Sequence, residues 1–251
     1  MTTPPDSKSD TARRFYDTTA LAAEDFSFMN YGYAPRDAVP SEDAEGFCLD
    51  LYRHLLDGAD LTDKRVLEVS CGRGGGAATI ANDFRPSELV GVDYSENNLK
   101  LARRRFSNVP GLRFLAGRAE QLPFGSASFD AVVNVEASHL YDDLAHFLAE
   151  VLRVLRPHGE FFYADLCWAN SNTEKLLCDS GFLITNQEDI TTSVVRALEL
   201  DSDRREDIVR DHIPEAMQQD YRNWSGVKGY RAYNRFVTRE WVYRIFRARR
   251  P

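Results

Sequence analysis

Short apolar runs alternate with longer amphipathic stretches through the middle of the chain. Runs rich in β-branched and aromatic residues predict five strands, at 66–70, 89–93, 112–116, 129–135 and 160–166. The stretches between them predict helices over about 75–84, 95–107 and 142–155, the last with one apolar face for packing on a sheet. Strands that alternate with helices predict an α/β fold whose parallel sheet is wound by right-handed crossovers.

The flanking segments predict elements that cover this core. Helical patterns over 11–22 and 41–58 have no sheet of their own, so we expect a helical cover over 11–58, after a disordered tail over 1–10. Strand-like runs at 182–190 and 233–249 predict an antiparallel pair at one edge of the sheet. We therefore expect one domain over 11–251, with a core over 59–190, a helical lid over 191–230 and a C-terminal edge strand over 231–251.

Composition narrows the class of protein. The 251 residues are 43% hydrophobic and 28% charged, which excludes a fibrous or wholly disordered chain. The net charge of −8 argues against a nucleic-acid partner, although residues 222–251 carry nine Lys or Arg and one acid. We interpret that basic stretch as the solvent face of a strand. Four cysteines without a C-x-x-C pair predict a reducing cytoplasm and no metal site, and no apolar stretch predicts a signal peptide or a membrane span.

A glycine-rich turn carries the strongest chemical signal. It follows the first core strand, in the run Val66-Leu67-Glu68-Val69-Ser70-Cys71-Gly72-Arg73-Gly74-Gly75-Gly76, and a helix comes next. Glycines let a ligand approach the backbone, and the helix N-terminus offers free N–H groups. Asp93 ends the next strand, where a carboxylate accepts hydrogen bonds from both hydroxyls of a ribose. The pair predicts an adenosine ligand.

The turn alone leaves two adenosine ligands open. Gly72-x-Gly74-x-x-Ala77 with Asp93 satisfies the loose dinucleotide fingerprint. Glu68 argues against a dinucleotide, because a carboxylate on the first strand would repel a pyrophosphate, whereas it would attract an ammonium group. S-adenosylmethionine has such an ammonium and no phosphate. The alternative is that Glu68 only pairs with Arg65 or Lys64.

These residues resemble motif I of class I S-adenosylmethionine-dependent methyltransferases. Further matches follow in order, at Gly91-Val92-Asp93-Tyr94-Ser95, at 117–130 and at Leu155-Arg156-Pro157-His158-Gly159. The resemblance covers about residues 60–190 and implies a Rossmann-like, seven-stranded, mostly parallel sheet with helices on both faces. It implies that S-adenosylmethionine is the cofactor, with Asp93 on the ribose and Tyr94 on the adenine. The cofactor-binding residues expected from it are Tyr31, Glu68, Ser70, Gly72, Arg73, Gly74, Asp93, Tyr94, Asn98, Ala119, Glu120, Gln121 and Asn134.

A finer resemblance points to actinobacterial small-molecule O-methyltransferases, of the phthiotriol dimycocerosate and rebeccamycin sugar types. It rests on Asn30-Tyr31-Gly32-Tyr33, on the turn 70–76 and on Asn134-Val135-Glu136-Ala137-Ser138-His139. Three positions depart from the family. Ser70 replaces a glycine, so the turn needs either a negative φ there or some strain. Arg118 replaces an Asp that contacts adenine, and His158 replaces a turn glycine.

His139 and Asp165 are the candidate catalytic residues. Each lies near the carboxyl end of a core strand, where open α/β sheets bind ligands. In the sugar O-methyltransferases that the chain resembles, a His and an Asp at matching positions act as base and partner. We therefore expect His139 to take the proton of an acceptor hydroxyl while Asp165 orients it. The alternative is that His139 begins a helix and bonds to Asp142 or Asp143.

Aromatic clusters on both sides of the core predict an apolar or polycyclic small-molecule acceptor. They fall in segments expected to cover the mouth of the fold, where they would exclude water. The expected substrate residues are Phe28, Tyr33, Glu136, Trp168, Tyr221 and Trp224. The predicted reaction is O-methylation of a polyketide, lipid or glycoside. Two alternatives stay open: C- or N-methylation of a sterol-like or quinone-like molecule, and a cyclase of this fold that transfers no methyl group. A homodimer is also open.

Overall fold

The computed structural model describes residues 7–22, 26–39, 43 and 45–251. Its strands are β1 (Arg65–Val69), β2 (Glu88–Asp93), β3 (Leu112–Ala116), β4 (Phe129–Val135), β5 (Leu155–Trp168), β6 (Leu183–Asp189) and β7 (Trp241–Arg249). Its helices are α1 (Lys8–Ala22), α2 (Gly46–Leu55), α3 (Gly75–Phe84), α4 (Glu96–Phe106), α5 (Leu144–Val154), α6 (Thr173–Asp179), α7 (Thr191–Leu200), α8 (Ser202–His212), α9 (Glu215–Trp224) and α10 (Arg231–Val237). A 3₁₀ turn at Ser138–Leu140 leads from β4 towards α5.

The strands form one seven-stranded sheet in the order β3-β2-β1-β4-β5-β7-β6. The first five strands are parallel, and β7 is antiparallel to both β5 and β6. The predicted α/β sheet is confirmed. The prediction of a C-terminal edge strand over 231–251 is wrong, because β7 inserts between β5 and β6 and leaves β6 at the edge. Residues 231–237 form α10, since Ala232, Tyr233 and Phe236 make one buried helix face.

Each face of the sheet carries its own apolar core. Successive strand side chains point to opposite faces, so Val66 joins one core and Leu67 joins the other. The first core receives buried side chains from α2, α3, α4, α7 and α10. The second receives the apolar stripe of α5 and Leu177 of α6. Because both faces of the sheet are covered, a ligand can reach it at the edge where the parallel strands end.

The N-terminal segment is helical from Lys8 onward. The prediction of a disordered tail over 1–10 is wrong for Lys8–Asp10, and its residues 1–6 lie outside the described part of the chain. The Ser7 hydroxyl accepts from the backbone N–H of Asp10, and the N–H of Ser9 donates to Asp142 on the far loop. These bonds replace the water that an isolated helix end would bind. Across the described residues, no helix has the length and apolar character needed to cross a bilayer.

Candidate active site

A cavity opens at the carboxyl ends of β1, β2 and β4. Helix α1 and the segment 27–30 cover it, and the described residues of the predicted lid do not line it. Eight of the residues expected to bind a cofactor do line it: Ser70, Gly72, Arg73, Asp93, Tyr94, Asn98, Ala119 and Glu120. Residues that the sequence spreads over fifty positions therefore meet at one site.

The glycine-rich turn follows β1 in left-handed backbone conformations. Gly72 has φ +53°, and Gly74, with φ +84°, is the N-cap of α3. Ser70 stands between β1 and these glycines with φ +59°, so the turn keeps the conformation that the missing glycine would favour, at some strain. His158, the other glycine replacement, has φ +65°.

Asp93 fastens the turn to the end of β2. Its Oδ2 accepts from the N–H of Gly72 and its Oδ1 from the N–H of Ser95, both at 2.8 Å. Burial raises the pKa of this carboxyl. Each oxygen has a further acceptor site, and the residue lines the cavity. The carboxyl can therefore accept two hydroxyls of a ligand.

Glu68 lies behind the cavity wall. It is 1% exposed, its Oε1 accepts the Tyr52 hydroxyl at 2.7 Å, and its Oε2 has no hydrogen-bond partner. Burial raises the pKa of Glu68 to about 8. Tyr52 lines the cavity and Glu68 does not. The carboxyl thus reaches the cavity through a phenol, and Arg65 pairs with Glu88 instead.

Tyr94 is covered by two guanidinium groups. Arg118 lies 4.5 Å and Arg13 5.1 Å from its ring centroid, and its hydroxyl donates to Asp10 Oδ1 at 3.0 Å. The bond from Tyr94 keeps the pKa of Asp10 below its usual value. The ring expected to stack on adenine therefore already has two cations over it.

Tyr141 links the glycine-rich turn to the loop after β4. Its hydroxyl lies 2.7 Å from Ser70 Oγ and accepts from Asn134 Nδ2 at 2.8 Å. Asn134 is fully buried and also donates to the carbonyl of Val69. Asn134 therefore acts behind the wall of the cavity, whereas Ser70 and Tyr141 line it.

His139 and Asp165 form a close pair. Asp165, 2% exposed, accepts at Oδ1 from the N–H of Leu166 and at Oδ2 from the N–H of His139. His139 Nδ1 lies 2.7 Å from Asp165 Oδ1. A carboxylate that faces only donors requires the proton on Nδ1, which leaves Nε2 as an acceptor. Asp142 and Asp143 are engaged elsewhere, with Ser9 and with the N-terminus of α5.

Glu136 lies three residues before His139 and lines the same cavity. Its φ of +51° is strained for a residue with a side chain, and its Oε2 accepts the N–H of Tyr31 at 2.9 Å. Burial raises its pKa to about 8. A neutral carboxyl therefore faces the cavity at neutral pH, while His139 itself does not line it.

Five residues expected to bind a cofactor do not line this cavity: Tyr31, Glu68, Gly74, Gln121 and Asn134. Gln121 is exposed and forms an isolated antiparallel β-bridge with Arg118. Among the expected substrate residues, Phe28 and Glu136 line the first cavity, while Tyr221 and Trp224 line a second cavity together with Phe28 and Tyr31.

The last two expected substrate residues lie outside both cavities. Tyr33 stacks on His54 with ring centroids 4.0 Å apart, and Trp168 is 50% exposed beside Trp241. Their contact with a substrate stays a prediction. Among the residues that the structure describes, no three His, Cys, Asp or Glu side chains group around a metal position.

Several lining residues were missed by the sequence analysis. Met29, Asn30 and Tyr52 come from the segments that precede the core, and Arg13 comes from α1. Tyr141 follows the candidate base by two positions, and only this closeness offered a signal. The others depend on how distant segments fold over the sheet.

Comparison with known proteins gives a consistent picture. Residues 67–163 match the family model described as a methyltransferase domain. The chain is 38% identical over 238 residues to a fatty-acid O-methyltransferase of Mycolicibacterium smegmatis, covering 92% of this chain and 86% of that protein. It is 36% identical over 236 residues to the phthiotriol/phenolphthiotriol dimycocerosates methyltransferase of Mycobacterium leprae, covering 91% and 87%.

Solved structures share the fold at low sequence identity. The [4+2]-cyclase SpnF superposes with a TM-score of 0.77 at 19% identity, over 98% of this chain and 96% of that one. A geranyl diphosphate C-methyltransferase from Streptomyces coelicolor gives 0.73 at 16% identity, over 99% and 100%. Because these neighbours differ in chemistry, the fold alone does not select a reaction.

Proposed function

The chain belongs to the class I S-adenosylmethionine-dependent methyltransferases, and from that premise we propose that it methylates a hydroxyl of a lipid-like specialised metabolite. The observation that carries the proposal is the His139–Asp165 pair beside the cofactor cavity. The similarity to two methyltransferases that are named for lipid substrates supports a lipid-like acceptor.

The residues of the cavity suit the cofactor. When bound, S-adenosylmethionine supplies a methyl group on a sulfonium, a strong electrophile with a good leaving group. Asp93 has acceptor sites for ribose hydroxyls, and the buried guanidinium of Arg73 suits the amino-acid carboxylate. Glu68 lies behind Tyr52, so it acts on the ammonium through that phenol once its carboxyl ionises.

His139 removes the acceptor proton in this proposal. Nδ1 donates to Asp165, so Nε2 takes the proton and Asp165 stabilises the resulting imidazolium. General bases of this kind contribute about 10²–10⁴-fold to a rate. Tyr31, whose hydroxyl donates to the carbonyl of Trp224, holds the N-terminal cover to the lid.

A second candidate acceptor is a fatty-acid carboxylate. The name of the relative that is 38% identical favours it. A carboxylate is already ionised at neutral pH and needs no base. The two candidates therefore differ in how strongly they depend on His139.

The test compares a long-chain alcohol with a long-chain fatty acid, each with methyl-labelled S-adenosylmethionine. In His139→Gln we expect alcohol methylation to fall about 10²–10⁴-fold and fatty-acid methylation to persist. Exposed His146→Gln is the matched control and should change neither. Affinity for S-adenosylhomocysteine, measured by calorimetry, should be unchanged in both variants.

Three outcomes would contradict parts of the proposal. Alcohol turnover within a few-fold of wild type in His139→Gln would remove His139 as base. A labelled methyl group attached to carbon or nitrogen of the product would show C- or N-methylation in place of O-methylation. Absence of labelled product from every acceptor would favour a cyclase that transfers no methyl group.

The remaining expectations concern the setting of the enzyme. Free thiols at all four cysteines support the proposed reducing cytoplasm. The homodimer stays a prediction that sedimentation of the purified chain checks.

A further inference from the structure

Two buried hydroxyls continue the His139–Asp165 pair into the core. Ser138 Oγ donates to Asp165 Oδ2 at 2.5 Å and lies 2.6 Å from the hydroxyl of Tyr163. Ser138 is 4% exposed and Tyr163 5% exposed. Neither residue lines either of the two cavities described above.

The direction of each hydrogen bond follows from the donors present. Ser138 has one hydroxyl proton and directs it to Asp165, so the Tyr163 hydroxyl must donate to Ser138. Burial raises the pKa of Tyr163 well above its usual value, so the phenol keeps its proton. The result is a chain of donors that runs from Tyr163 through Ser138 to Asp165.

The carboxylate of Asp165 accepts hydrogen bonds both from this series of hydroxyl donors and from the imidazole. Its Oδ2 takes Ser138 Oγ and the N–H of His139, while its Oδ1 takes His139 Nδ1 and the N–H of Leu166. Successive hydroxyl donors polarise one another and draw on the negative charge that would otherwise stabilise an imidazolium. Removing a donor therefore makes proton uptake by His139 easier.

We propose that Ser138 and Tyr163 are positioning residues that hold Asp165 and set the pH at which His139 takes up a proton. This inference rests on the proposed role of His139 as the base. With the two hydroxyls present, the imidazole stays neutral down to a lower pH than the His–Asp pair alone would allow. A neutral imidazole can accept the proton of the acceptor. Tyr163 acts only through Ser138, so its effect must vanish when the Ser138 hydroxyl is absent.

The test is a proton-carbon NMR titration of the His139 imidazole in the full chain, which needs no acceptor. The chain has five histidines, and the signal that disappears in His139→Gln is that of His139. In Ser138→Ala we expect the titration midpoint to rise by about 0.5 to 1 pH unit. Tyr163→Phe should raise it less, and the double variant should match Ser138→Ala alone.

Controls separate this role from simple packing. Tyr233→Phe removes another buried phenol, whose hydroxyl donates to Glu199, and should leave the midpoint unchanged. Ser138→Thr keeps a hydroxyl and should restore the wild-type midpoint. If Ser138→Ala fails to fold, Tyr163→Phe carries the test. An unmoved or lowered midpoint, or additive shifts in the double variant, would overturn the proposal.

The same variants distinguish the two levels of inference. As the pH is lowered, the Ser138 and Tyr163 variants should lose alcohol methylation at a higher pH than wild type does. The difference in pH should equal the shift in midpoint that NMR measures. If His139→Gln retains alcohol methylation while the midpoints still move, the base assignment fails and the positioning network stands. If His139→Gln is inactive and no midpoint moves, only the positioning network fails.

Discussion

The buried carboxyl of Glu68 predicts a protein that loses stability as the pH rises. The carboxyl ionises near pH 4.5 in the unfolded chain and near 8 in the folded one, because it is buried. Between these values the folded state holds a proton that the unfolded chain has released. Stability is therefore fully present below pH 4.5 and is lost as the pH rises through about 8.

The magnitude follows from the interval between the two pKa values. At about 1.4 kcal/mol per unit, the rise of Glu68 from 4.5 to about 8 corresponds to at most about 5 kcal/mol. Glu68→Gln removes this loss, since an amide stays neutral and still accepts the Tyr52 hydroxyl. Half of the maximum would raise the Tm of a chain of this size by about 5–10 °C at pH 9.

The assay is thermal unfolding of the ligand-free chain at pH 5.5 and pH 9. We expect Glu68→Gln to exceed wild type in Tm only slightly at pH 5.5, about one unit above the pKa of the unfolded carboxyl, and by much more at pH 9. Exposed Glu160→Gln is the control and should follow wild type at both. The same substitution should weaken S-adenosylhomocysteine binding about 10–100-fold, because a charged partner of the ammonium is lost.

A Tm difference that does not change with pH would contradict the assigned effect of burial on Glu68. If the difference in Tm between Glu68→Gln and wild type is the same at both pH values, Glu68 is already ionised in the free protein. Burial would then not control its ionisation. A proton released on binding of S-adenosylhomocysteine at neutral pH, measured by calorimetry in buffers of different ionisation enthalpy, is the independent check.

Three further predictions concern the turn, the lid and the cover. Ser70→Ala should lower the free energy of unfolding in urea by about 1–2 kcal/mol, because the bond to Tyr141 is lost and the strain stays, whereas Ser70→Gly relieves strain and should be nearly neutral. Arg205→Met should cost about 3–5 kcal/mol in the same assay, since this buried guanidinium joins the lid to the cover; a loss below 1 kcal/mol would contradict this. Asp10→Ala breaks the bond to Tyr94 and should speed trypsin cleavage within α1 several-fold.

Local pattern was enough to predict the parallel part of the sheet. Runs at 112–116 and 129–135 coincide with β3 and β4, and the helix predicted over 75–84 coincides with α3. Periodicity failed at Tyr233, because alternating aromatic and basic residues suit a strand and the buried positions of α10 suit a helix equally well.

The sequence predicted only the part of the cavity that is formed by Asp93 and the glycine-rich turn. Asp93 and the turn share a site because neighbouring parallel strands end at the same edge. The contacts of Tyr31 could not be found this way. Its N–H bonds to Glu136, 105 residues away, and its hydroxyl to Trp224, 193 residues away.

The order of residues along the chain was enough to predict the groups of the candidate site: a glycine turn, an acid on each of two strands, and a histidine and an aspartate at the ends of two others. The folded chain was needed to show that Tyr52 stands between Glu68 and the cavity, and that Ser138 and Tyr163 share Asp165 with His139. Residue type and spacing fix which groups lie at the ends of the strands, whereas hydrogen bonds between buried side chains depend on how covering segments pack over them.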